Sequence, residues 1–540
     1  MSSMNIKATL VSDWLWLLQT RSDVLRKTLI NIYGERKSDF YSYKAAELTR
    51  LLDRFAERFG DEKVCLLRVP GRINLMGRHV EHRGSCINSL AIDKETLVAA
   101  SERPDGLFSI TNCRDEFGDY TFDIEPLIRQ SEGQTWSEFL DSEYAADIVE
   151  RTKGEWLNYV RAPLLRLKFE FPDMRLKGMN LCYHGDIPVA AGLSSSSSIV
   201  VASLLSQTII SGFDLSDDDF VRLCGEGEWF VGSRGGWGDH AAMKCCLRGM
   251  ITRFDFLPFG IGPSEYFPEE YCVVFANTFI QAKKSDGAKD KFNMKIACYE
   301  FGFMLMKKYY PQYRDRLGCL RDFNCEHLGI NESDLYRMLC SLPERISPEE
   351  LIKMLPEYKE EIYTVLKTHT PPEYYDIRKT VFYGLAESAR ASLFLNLLRQ
   401  KKLNEIGRLM NISHDGDRIN KSGVAFNGEV SDGYLMQLLH SMSESVGIGR
   451  THIAYQPGGY GCSTSEIDDL VDYIAMQDGV LGCELSGAGL GGSVLALVER
   501  NKAAGLLSKL KTYYYDQKGL PMGAEVVTPS QGCCTIDYPS

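Results

Sequence analysis

A run of glycine and serine, GLSSSSS from Gly192 to Ser198, contains the residue types that most clearly suggest chemistry. Small residues let a backbone approach an anion closely, and the unpaired N–H groups at the start of a following helix would point at it. The helix dipole adds partial positive charge there, so a triphosphate could bind without a large basic patch. The serine hydroxyls could also bind magnesium. By itself, the run indicates an anion cradle no more strongly than a serine-capped turn or a linker.

Two other nucleotide-binding patterns can be tested against the sequence. No GxxxxGK[ST] loop occurs in it, so a P-loop enzyme is not indicated. A GxGxxG pattern does occur from Gly487 to Gly492, but a dinucleotide fingerprint must lead into a helix. This one leads into the apolar run Val494–Val498, which predicts a strand. The pattern is therefore not interpreted as a Rossmann signal.

Periodicity predicts the elements on either side of the serine run. Met179–Tyr183 is extended and apolar, and Asp186 and Pro188 lead from it into the run. Apolar residues then recur at helical spacing from Ile199 up to Gly212. The sequence therefore predicts a strand, a loop and a helix, an order that places helix N–H groups at the loop.

Elsewhere the apolar pattern predicts a helix over Tyr43–Phe59 and a strand over Val64–Val69. Pro70 and Gly71 are expected to break that strand into a tight loop. The stretch 309–370 is charged and helix-like, with prolines at its turns, and is interpreted as an inserted or linking helical region.

Composition limits the classes of function. A chain of 540 residues with 44% apolar residues can form more than one domain. The formal charge of -12 argues against nucleic-acid binding, because phosphate backbones demand clustered Lys and Arg. The 16 cysteines have no regular disulfide spacing, which favours reduced thiols. With no apolar run of bilayer length and no signal-peptide pattern, we expect a cytoplasmic protein without membrane contact.

Three segments together resemble the GHMP kinases, and they occur in the order typical of that superfamily. VPGRINLMGRHVEH, Val69–His82, is similar to the galactokinase signature; PVAAGLSSSSS, Pro188–Ser198, and LSGAGLGGS, Leu485–Ser493, are similar to the other two motifs. Further segments that are similar to galactokinase stretches are Glu155–Val160, Phe230–Lys244 and Ile406–His414.

The resemblance implies an α+β fold with two domains and an active site in the cleft between them. An N-terminal domain would carry the phosphate loop, and a C-terminal domain would have a ferredoxin-like core. We place an N-terminal extension at 1–42, the first domain at 43–262, and the second, with helical insertions, at 263–540. The insertions near 309–370 and 420–461 lie outside the resemblance.

The resemblance also implies roles for particular residues. Asp239 falls at the position of the catalytic aspartate and Arg72 at that of its partner arginine, so Asp239 would accept the sugar hydroxyl proton while Arg72 stabilises negative charge. Ser196 and Glu228 would bind Mg²⁺. The residues expected to bind ATP are Gly192, Leu193, Ser194, Ser195, Ser196, Ser197 and Gly489, and those expected to bind the sugar are Arg78, His79, Glu81, Gly236 and Phe292. No zinc-like spacing organises the remaining histidines, so His240 is expected to be a packing or exposed residue.

The sugar-binding loop departs from the galactokinase pattern. Galactokinases usually have GEHTDY there, whereas this chain has GRHVEH, with Arg78 at the position of the glutamate and Glu81 at that of the aspartate. Phe292 stands where galactokinases have a sugar-contacting tyrosine. A guanidinium binds a carboxylate through paired N–H donors, so Arg78 suggests a uronic acid such as galacturonate. In the alternative, Arg78 points to solvent or pairs with Glu81.

From these residues we expect an ATP-dependent sugar 1-kinase that phosphorylates the anomeric hydroxyl of a galactose-like sugar. Galactose itself, N-acetylgalactosamine and a uronic acid remain open as the substrate. The alternative from another class is a regulatory protein that binds sugar and ATP without turnover. The expected partners are ATP, Mg²⁺ and a small sugar, and the oligomeric state is left open.

Overall fold

The computed structural model describes residues 8–232, 235–280, 287–421, 423–426, 428–443 and 451–539. Its N-terminal part is built on a large, mostly antiparallel sheet in the order β1-β2-β3-β6-β4-β5, in which β4 and β6 are parallel. Two further strands, β7 and β8, extend from β3. The bounds are β1 Thr9–Leu10, β2 Lys63–Met76, β3 Ile87–Arg103, β4 Phe108–Asn112, β5 Tyr120–Phe122, β6 Gly178–Gly185, β7 Met250–Asp255 and β8 Gly260–Tyr266.

Helices cover both faces of this sheet. They are α1 Val11–Thr20, α2 Ser22–Tyr33, α3 Ser38–Phe59, α4 Glu125–Gln130, α5 Trp136–Leu140, α6 Glu143–Arg151, α7 Leu157–Glu170, α8 Ser195–Ser211, α9 Asp217–Glu228 and α10 Gly238–Cys245. Alternate residues of β2 point to opposite faces: Leu67 packs with α7, α8 and α9, whereas Leu66 packs with α1, α2 and α3. The strand is buried on both sides because both of its faces are apolar.

The second sheet has the order β12-β13-β9-β14, and its neighbouring strands are antiparallel. Numbered within this sheet by their order in the chain, the strands lie in the order 2-3-1-4, which is the ferredoxin-like arrangement. The predicted ferredoxin-like core is therefore confirmed. The strands are β9 Tyr271–Ile280, β12 Val480–Ser486, β13 Gly492–Glu499 and β14 Ala524–Val527, and β10 Asn420–Lys421 with β11 Val424–Ala425 forms a separate hairpin.

The helices of this second part follow in chain order. They are α11 Ala288–Tyr309, α12 Cys325–Leu328, α13 Glu332–Cys340, α14 Pro348–Met354, α15 Lys359–Leu366, α16 Ile377–Arg399, α17 Leu403–Asp417, α18 Asp432–Ser443, α19 Ser465–Ala475 and α20 Arg500–Leu510. The predicted helical region 309–370 contains α12 to α15, whose apolar residues join the core of the second sheet.

A shared apolar cluster holds the two sheets together. Ile73 and Leu75 of β2 pack with Phe275 of β9 and with Leu409 of α17, all fully or almost fully buried. Burial of apolar surface contributes about 25 cal/mol of stabilisation for each Å², which favours a fixed arrangement of the two domains.

Elements of the first sheet and its helices lie on both sides of the predicted domain boundaries, which stay predictions. Helix α3 spans the expected junction at residue 42, and β8 continues the first sheet beyond residue 262. After β14 the chain returns to the first sheet, where β15 (Pro529–Ser530) pairs with β3 and β16 (Cys534–Ile536) pairs with β2. Parts of the predicted N-terminal extension and of the insertion near 420–461 lie outside the described residues, namely 1–7, 422, 427 and 444–450.

Local predictions mostly agree with the structure. The helix expected over Tyr43–Phe59 is part of α3, and Gly60 ends it with a φ of 87° and an N–H bond to Ala56 O. The break expected at Pro70 and Gly71 is wrong, because β2 continues through them with a shift in register against β3. Proline is tolerated there because the irregular pairing does not require its missing N–H.

None of the 16 cysteines, all of which are described, forms a disulfide, in agreement with the prediction of free thiols. Among the described residues, no helix combines the length and the apolar character needed to cross a bilayer.

Candidate functional site

The phosphate loop joins β6 to α8 and turns on residues with left-handed backbone conformations. Gly192 has a φ of 78° and Ser194 one of 59°, and α8 begins at the next residue. A Cβ on Gly192 would lie 2.8 Å from Ser486 O, so only glycine fits. The first N–H groups of α8 have no partner within the helix, and they open onto the loop. The predicted strand, loop and helix are therefore present with an anion-binding geometry.

The glycine turn between β12 and β13 lies directly against this loop. Ser486 Oγ donates a hydrogen bond of 3.0 Å to Gly192 O, and Ser493 Oγ donates one of 2.6 Å to Ala191 O. The turn leads into β13, so the GxGxxG pattern is not a dinucleotide fingerprint, as predicted. Gly489 packs against Cys462, since a Cβ there would lie 2.3 Å from Cys462 O.

Arg72 and Asp239 form a two-point ion pair beside the loop. Arg72 Nε donates to Asp239 Oδ1 at 2.6 Å and Nη2 donates to Oδ2 at 2.8 Å, while Nη1 donates to Gly192 O at 2.8 Å. Arg72 extends from β2, and Asp239 stands in the first turn of α10. The paired geometry fixes the plane of the carboxylate and ties it to the phosphate loop.

Asp239 is also bonded to the loop through Ser194, whose hydroxyl donates to Oδ2. Burial raises the pKa of the Asp239 carboxyl, but the charge of Arg72 and the hydrogen bonds from Arg72 and Ser194 outweigh it. The pKa therefore lies below its ordinary value, and the group is ionised at neutral pH. With 35% of its side chain exposed, Asp239 can still reach a substrate in the cleft.

Glu228 stands at the end of α9, across the first turn of α8. Ser197 Oγ donates to Glu228 Oε2 at 2.8 Å, and His240 Nε2 lies 2.8 Å from the same oxygen. Ser196, the other residue expected at the metal site, lies half-buried next to Ser197 in the first turn. His240 was expected to be a packing residue; it is buried, but its ring faces the candidate magnesium ligand, which its position directly after Asp239 could have suggested.

Glu81 lies in the sugar-binding loop Gly77–His82, called the sugar loop below, and packs against the glycine turn that precedes Asp239. A Cβ on Gly236 would lie 2.4 Å from Glu81 Cγ, and one on Gly238 would lie 3.7 Å from it. Glycine at 236 therefore leaves room for the Glu81 side chain, which is 23% exposed. The structure brings both expected sugar-loop partners, Glu81 and Gly236, to the side of the cleft where Asp239 lies.

Arg78 does not face the cleft. Its Nη1 lies 2.6 Å from Glu484 Oε2, and its Nη2 donates to Asp417 Oδ2 at 3.2 Å and to Ser413 Oγ at 2.9 Å. The side chain is 2% exposed. The role expected for Arg78 in binding a substrate carboxylate is therefore not supported, because the protein's own carboxylates occupy the guanidinium. The alternatives of solvent exposure or pairing with Glu81 do not hold either.

His79 is likewise turned into the protein. Its ring stacks on Tyr460 with centroids 4.3 Å apart, and its Nε2 lies 3.2 Å from Cys462 Sγ and 3.6 Å from Asp417 Oδ1. The residue has a φ of 63°, which is unusual outside glycine and directs the ring inwards. Nε2 is therefore not available to a sugar in the cleft.

Glu387 and Glu484 complete the surroundings of the sugar loop, and no motif or spacing predicted either of them. Glu387 Oε1 accepts hydrogen bonds from the backbone N–H groups of Gly77 and Arg78 at 2.7 and 3.1 Å, which fixes the loop on α16. Burial raises the pKa of Glu484 to about 8, despite the opposing charge of Arg78. Glu387 is paired with Arg390, whereas Glu484 and Asp417 share Arg78, so the neutral form of Glu484 is favoured.

Phe292 lies in the first turn of α11, half-buried. One turn later on the same helix, Lys295 Nζ lies 5.8 Å from the centroid of the Tyr460 ring. Tyr299 follows, fully buried, with its ring 5.8 Å from that of Tyr460 and 6.0 Å from that of His82. These residues lie on one face of α11, since they are spaced three and four apart, and that face borders the sugar loop.

Comparison with known families agrees with this geometry. Residues 53–102 match the galactokinase galactose-binding signature, residues 158–246 match the GHMP kinases N terminal domain, and residues 433–516 match the GHMP kinases C terminal region. The N-terminal match contains the phosphate loop and Asp239, and the C-terminal match contains the glycine turn. The fold and these matches thus define a GHMP kinase.

The most similar relatives considered are galactokinases. The Dictyostelium discoideum galactokinase is 23% identical over 88% of this chain and 91% of its own length, and that of Schizosaccharomyces pombe is 23% identical over 91% and 95%. A crystal structure of Lactococcus lactis galactokinase with galactose superposes with a TM-score of 0.62 at 21% identity, covering 90% of this chain and 99% of that one. The chain belongs to the galactokinase-like GHMP kinases and is a sugar kinase.

Proposed function

We propose that this kinase transfers the terminal phosphoryl group of ATP to the anomeric hydroxyl of a galactose-like sugar. The observation that carries the proposal is the Asp239 carboxylate, held by two hydrogen bonds from Arg72 and one from Ser194 at the start of the phosphate-binding helix. A carboxylate in that position can orient a hydroxyl toward a phosphoryl group in the loop. The galactokinase relatives support a galactose-like acceptor.

In this mechanism the chain contributes orientation and charge. Phosphoryl transfer has a loose transition state with little covalent chemistry for the protein, so positioning and electrostatics supply most of the rate. Asp239 accepts a hydrogen bond from the sugar hydroxyl and then its proton. Arg72 keeps Asp239 ionised and stabilises negative charge beside Gly192 O. Ser194 holds the carboxylate in plane.

The nucleotide and metal are assigned to neighbouring parts of the same surface. The N–H groups of the first turn of α8 and the backbone from Gly192 to Ser197 would bind the triphosphate. Ser196 and Glu228 would bind Mg²⁺, which favours oxygen ligands and, when bound, neutralises phosphate charge. The Glu228 carboxylate lies beside the serine hydroxyls of α8, so its donor set fits that ion. His240 would orient Glu228.

We assign Glu81 and Gly236 to recognition of the sugar hydroxyls and Phe292 to a contact with the sugar. Glu81 keeps the acid of the galactokinase loop, and it borders the turn before Asp239. Arg78 and His79 would act indirectly, by fixing the loop that carries Glu81.

A uronic acid remains a second candidate, now on account of Lys295 rather than Arg78. Within the described part of the chain, Lys295 forms neither a hydrogen bond nor an ion pair, and burial lowers the pKa of its amine. The charge of Asp376 acts on this amine, but no carboxylate of the described residues is paired with it, and a half-buried amine of that kind is costly unless a ligand pairs with it. A carboxylate at C6 of the sugar would do so.

The experiment is a measurement of sugar-dependent ADP release on galactose, galacturonate, N-acetylgalactosamine and arabinose. Wild type should turn over at least one of them, and Asp239→Asn should lower kcat by about 10² to 10⁴-fold while still binding ATP. Asp218→Asn, an exposed change on α9, is the matched control. Sugar binding without any ADP release in wild type would favour the regulatory alternative and contradict the proposal.

The same panel tests the uronic acid. Lys295→Met should abolish activity on galacturonate and leave activity on galactose within a few-fold, whereas Lys291→Met, an exposed lysine on the same helix, should change neither. Activity on galactose alone, unaffected by Lys295→Met, would eliminate the uronic-acid candidate and leave the galactokinase reaction standing.

A further inference from the structure

Three side chains of types that can bind metals lie close together beneath the sugar loop, although they come from distant parts of the sequence. His79 belongs to that loop, Asp417 is the last residue of α17, and Cys462 lies in the segment before α19. Cys462 Sγ lies 3.2 Å from His79 Nε2 and 3.1 Å from Asp417 Oδ1, and the latter two atoms are 3.6 Å apart. The three residues are at most 5% exposed. Each offers one ligand atom toward the other two.

These separations match those between ligands around a tetrahedral zinc ion. Bonds of about 2.3 Å to sulfur and about 2.0 Å to nitrogen or oxygen place tetrahedral ligand atoms about 3.3 to 3.5 Å apart. The observed distances differ from this range by a few tenths of an ångström. A zinc ion therefore fits on the face of the triangle with only small side-chain movements, and a fourth ligand would complete the shell.

The surrounding residues hold each ligand in its orientation. Tyr383 Oη and Arg78 Nη2 both donate to Asp417 Oδ2 at 3.2 Å, which leaves Oδ1 turned toward Cys462. Tyr460 stacks on the His79 ring, and the left-handed backbone of His79 directs Nε2 inwards. Metal sites commonly have such outer partners, because they fix the ligand rotamers before the ion binds.

We propose that His79, Asp417 and Cys462 form a binding site for a divalent transition metal, best suited to zinc, with water in the fourth position. Thiolate and imidazole ligands favour zinc over magnesium, so this site is separate from the oxygen ligands near Glu228. A thiolate and a carboxylate together balance the two positive charges of the ion.

The position of the site suggests what the ion does. It would join the sugar loop to α17 and, through Cys462, to the glycine turn, since Leu490 N donates to Cys462 O at 2.6 Å. That turn contacts the phosphate loop through Ser486. The ion would therefore fix both substrate-binding segments onto the second domain without contacting either substrate. The proposal does not depend on which sugar is phosphorylated, or on turnover.

The test is the metal content of the purified, untagged chain, prepared without chelators. We expect about one zinc per chain by mass spectrometry of the elements, loss of that zinc in Cys462→Ser, and retention in Cys483→Ser, a buried cysteine of β12. Asp239→Asn should keep the zinc even though its kcat is strongly reduced, so failure of the kinase proposal and failure of this one are distinguishable.

Cobalt provides a second measurement that needs no variant. Stripped wild-type chain titrated with Co²⁺ should develop a thiolate-to-cobalt charge-transfer band and the visible bands of tetrahedral cobalt, reaching a limit at one equivalent. A chelator should lower the melting temperature of the zinc-loaded wild type. Zinc-free purified chain together with a featureless cobalt titration would overturn the proposal, whether or not Cys462→Ser folds.

Discussion

The proposed reaction centre contains Arg72 of β2, and the sugar loop, which contains Arg78, begins directly after β2. The two regions differ in how far their paired charges are exposed. At the reaction centre, Arg72 pairs with Asp239, and the carboxylate stays 35% exposed toward the cleft. In the sugar loop, Arg78 pairs with Glu484 and Asp417, and all three side chains are at most 2% exposed. Both arginines are paired with carboxylates, so exposure rather than pairing distinguishes a charged group that can reach a ligand from one that only holds the fold together.

The largest expected effect tests whether Arg78 is a structural cation. Arg78→Met leaves Glu484 and Asp417 buried without their partner, so the free energy of unfolding should fall by about 3 to 5 kcal/mol. Urea denaturation of wild type and variant measures this change. Arg399→Met removes an exposed pair with Glu265 and should cost less than about 1 kcal/mol. A loss for Arg78→Met as small as the control's would show that Arg78 is not buried with its partners as described.

At the reaction centre, Arg72→Lys keeps the charge but loses the paired donors to Asp239. Since a charge-assisted hydrogen bond contributes about 1.5 to 3 kcal/mol, kcat/KM should fall by about 10 to 100-fold. Because Arg72 lowers the pKa of Asp239, the acid limb of the pH profile of kcat/KM should also move to higher pH. An unchanged acid limb alongside reduced activity would separate orientation of Asp239 from its ionisation.

Glu484 provides a pH test of the sugar-loop region. Its pKa in the fold is about 8, above its usual value of 4.5, so its stabilising contribution is complete below pH 4.5 and is lost as pH rises toward 8. Wild type should lose about 1 kcal/mol of unfolding free energy per pH unit from this group. Glu484→Gln should remove that slope between pH 6 and 7.5, measured by denaturation at each pH. Equal slopes in both proteins would contradict the raised pKa.

The smallest effect concerns the link between the phosphate loop and the catalytic carboxylate. Ser194→Ala removes one hydroxyl donor to Asp239 while Arg72 still holds it, so kcat should fall about 5 to 20-fold, corresponding to about 1 to 2 kcal/mol. Ser211→Ala, at the other end of α8, should leave kcat unchanged. If the two variants had the same activity, the carboxylate would be positioned by Arg72 alone.

The two regions also differ in how much the sequence could predict. The strand, loop and helix around Gly192 are local, so periodicity and residue type sufficed, and the family motifs predicted roles for Arg72 and Asp239, which the structure places in one ion pair. Arg78 was expected to bind a substrate carboxylate because it takes the place of the glutamate in the galactokinase sugar loop and a guanidinium pairs well with a carboxylate. Its real partners, Asp417 and Glu484, come from α17 and β12, and no spacing rule connects segments that meet only in the folded chain.

The same limit applies to His79 and Cys462. Zinc-like spacing was sought within short segments, whereas these two residues are brought together from opposite domains. The pairing of β16 with β2 was missed for a related reason, since it joins residues that are distant along the chain. Composition and turn signals do not report such pairings.

The pairing of β16, near the end of the chain, with β2 affects how the protein folds during its synthesis. Arg68, fully buried in β2, donates hydrogen bonds to Ser530 Oγ and to backbone oxygens of the last segment, and β1 and β16 occupy the same edge of β2. During translation, this edge cannot close until residue 536 has left the ribosome, although most of the first domain has emerged long before. The nascent chain must therefore wait with an open sheet edge, and a fragment that stops at residue 266 would keep that edge permanently exposed to aggregation.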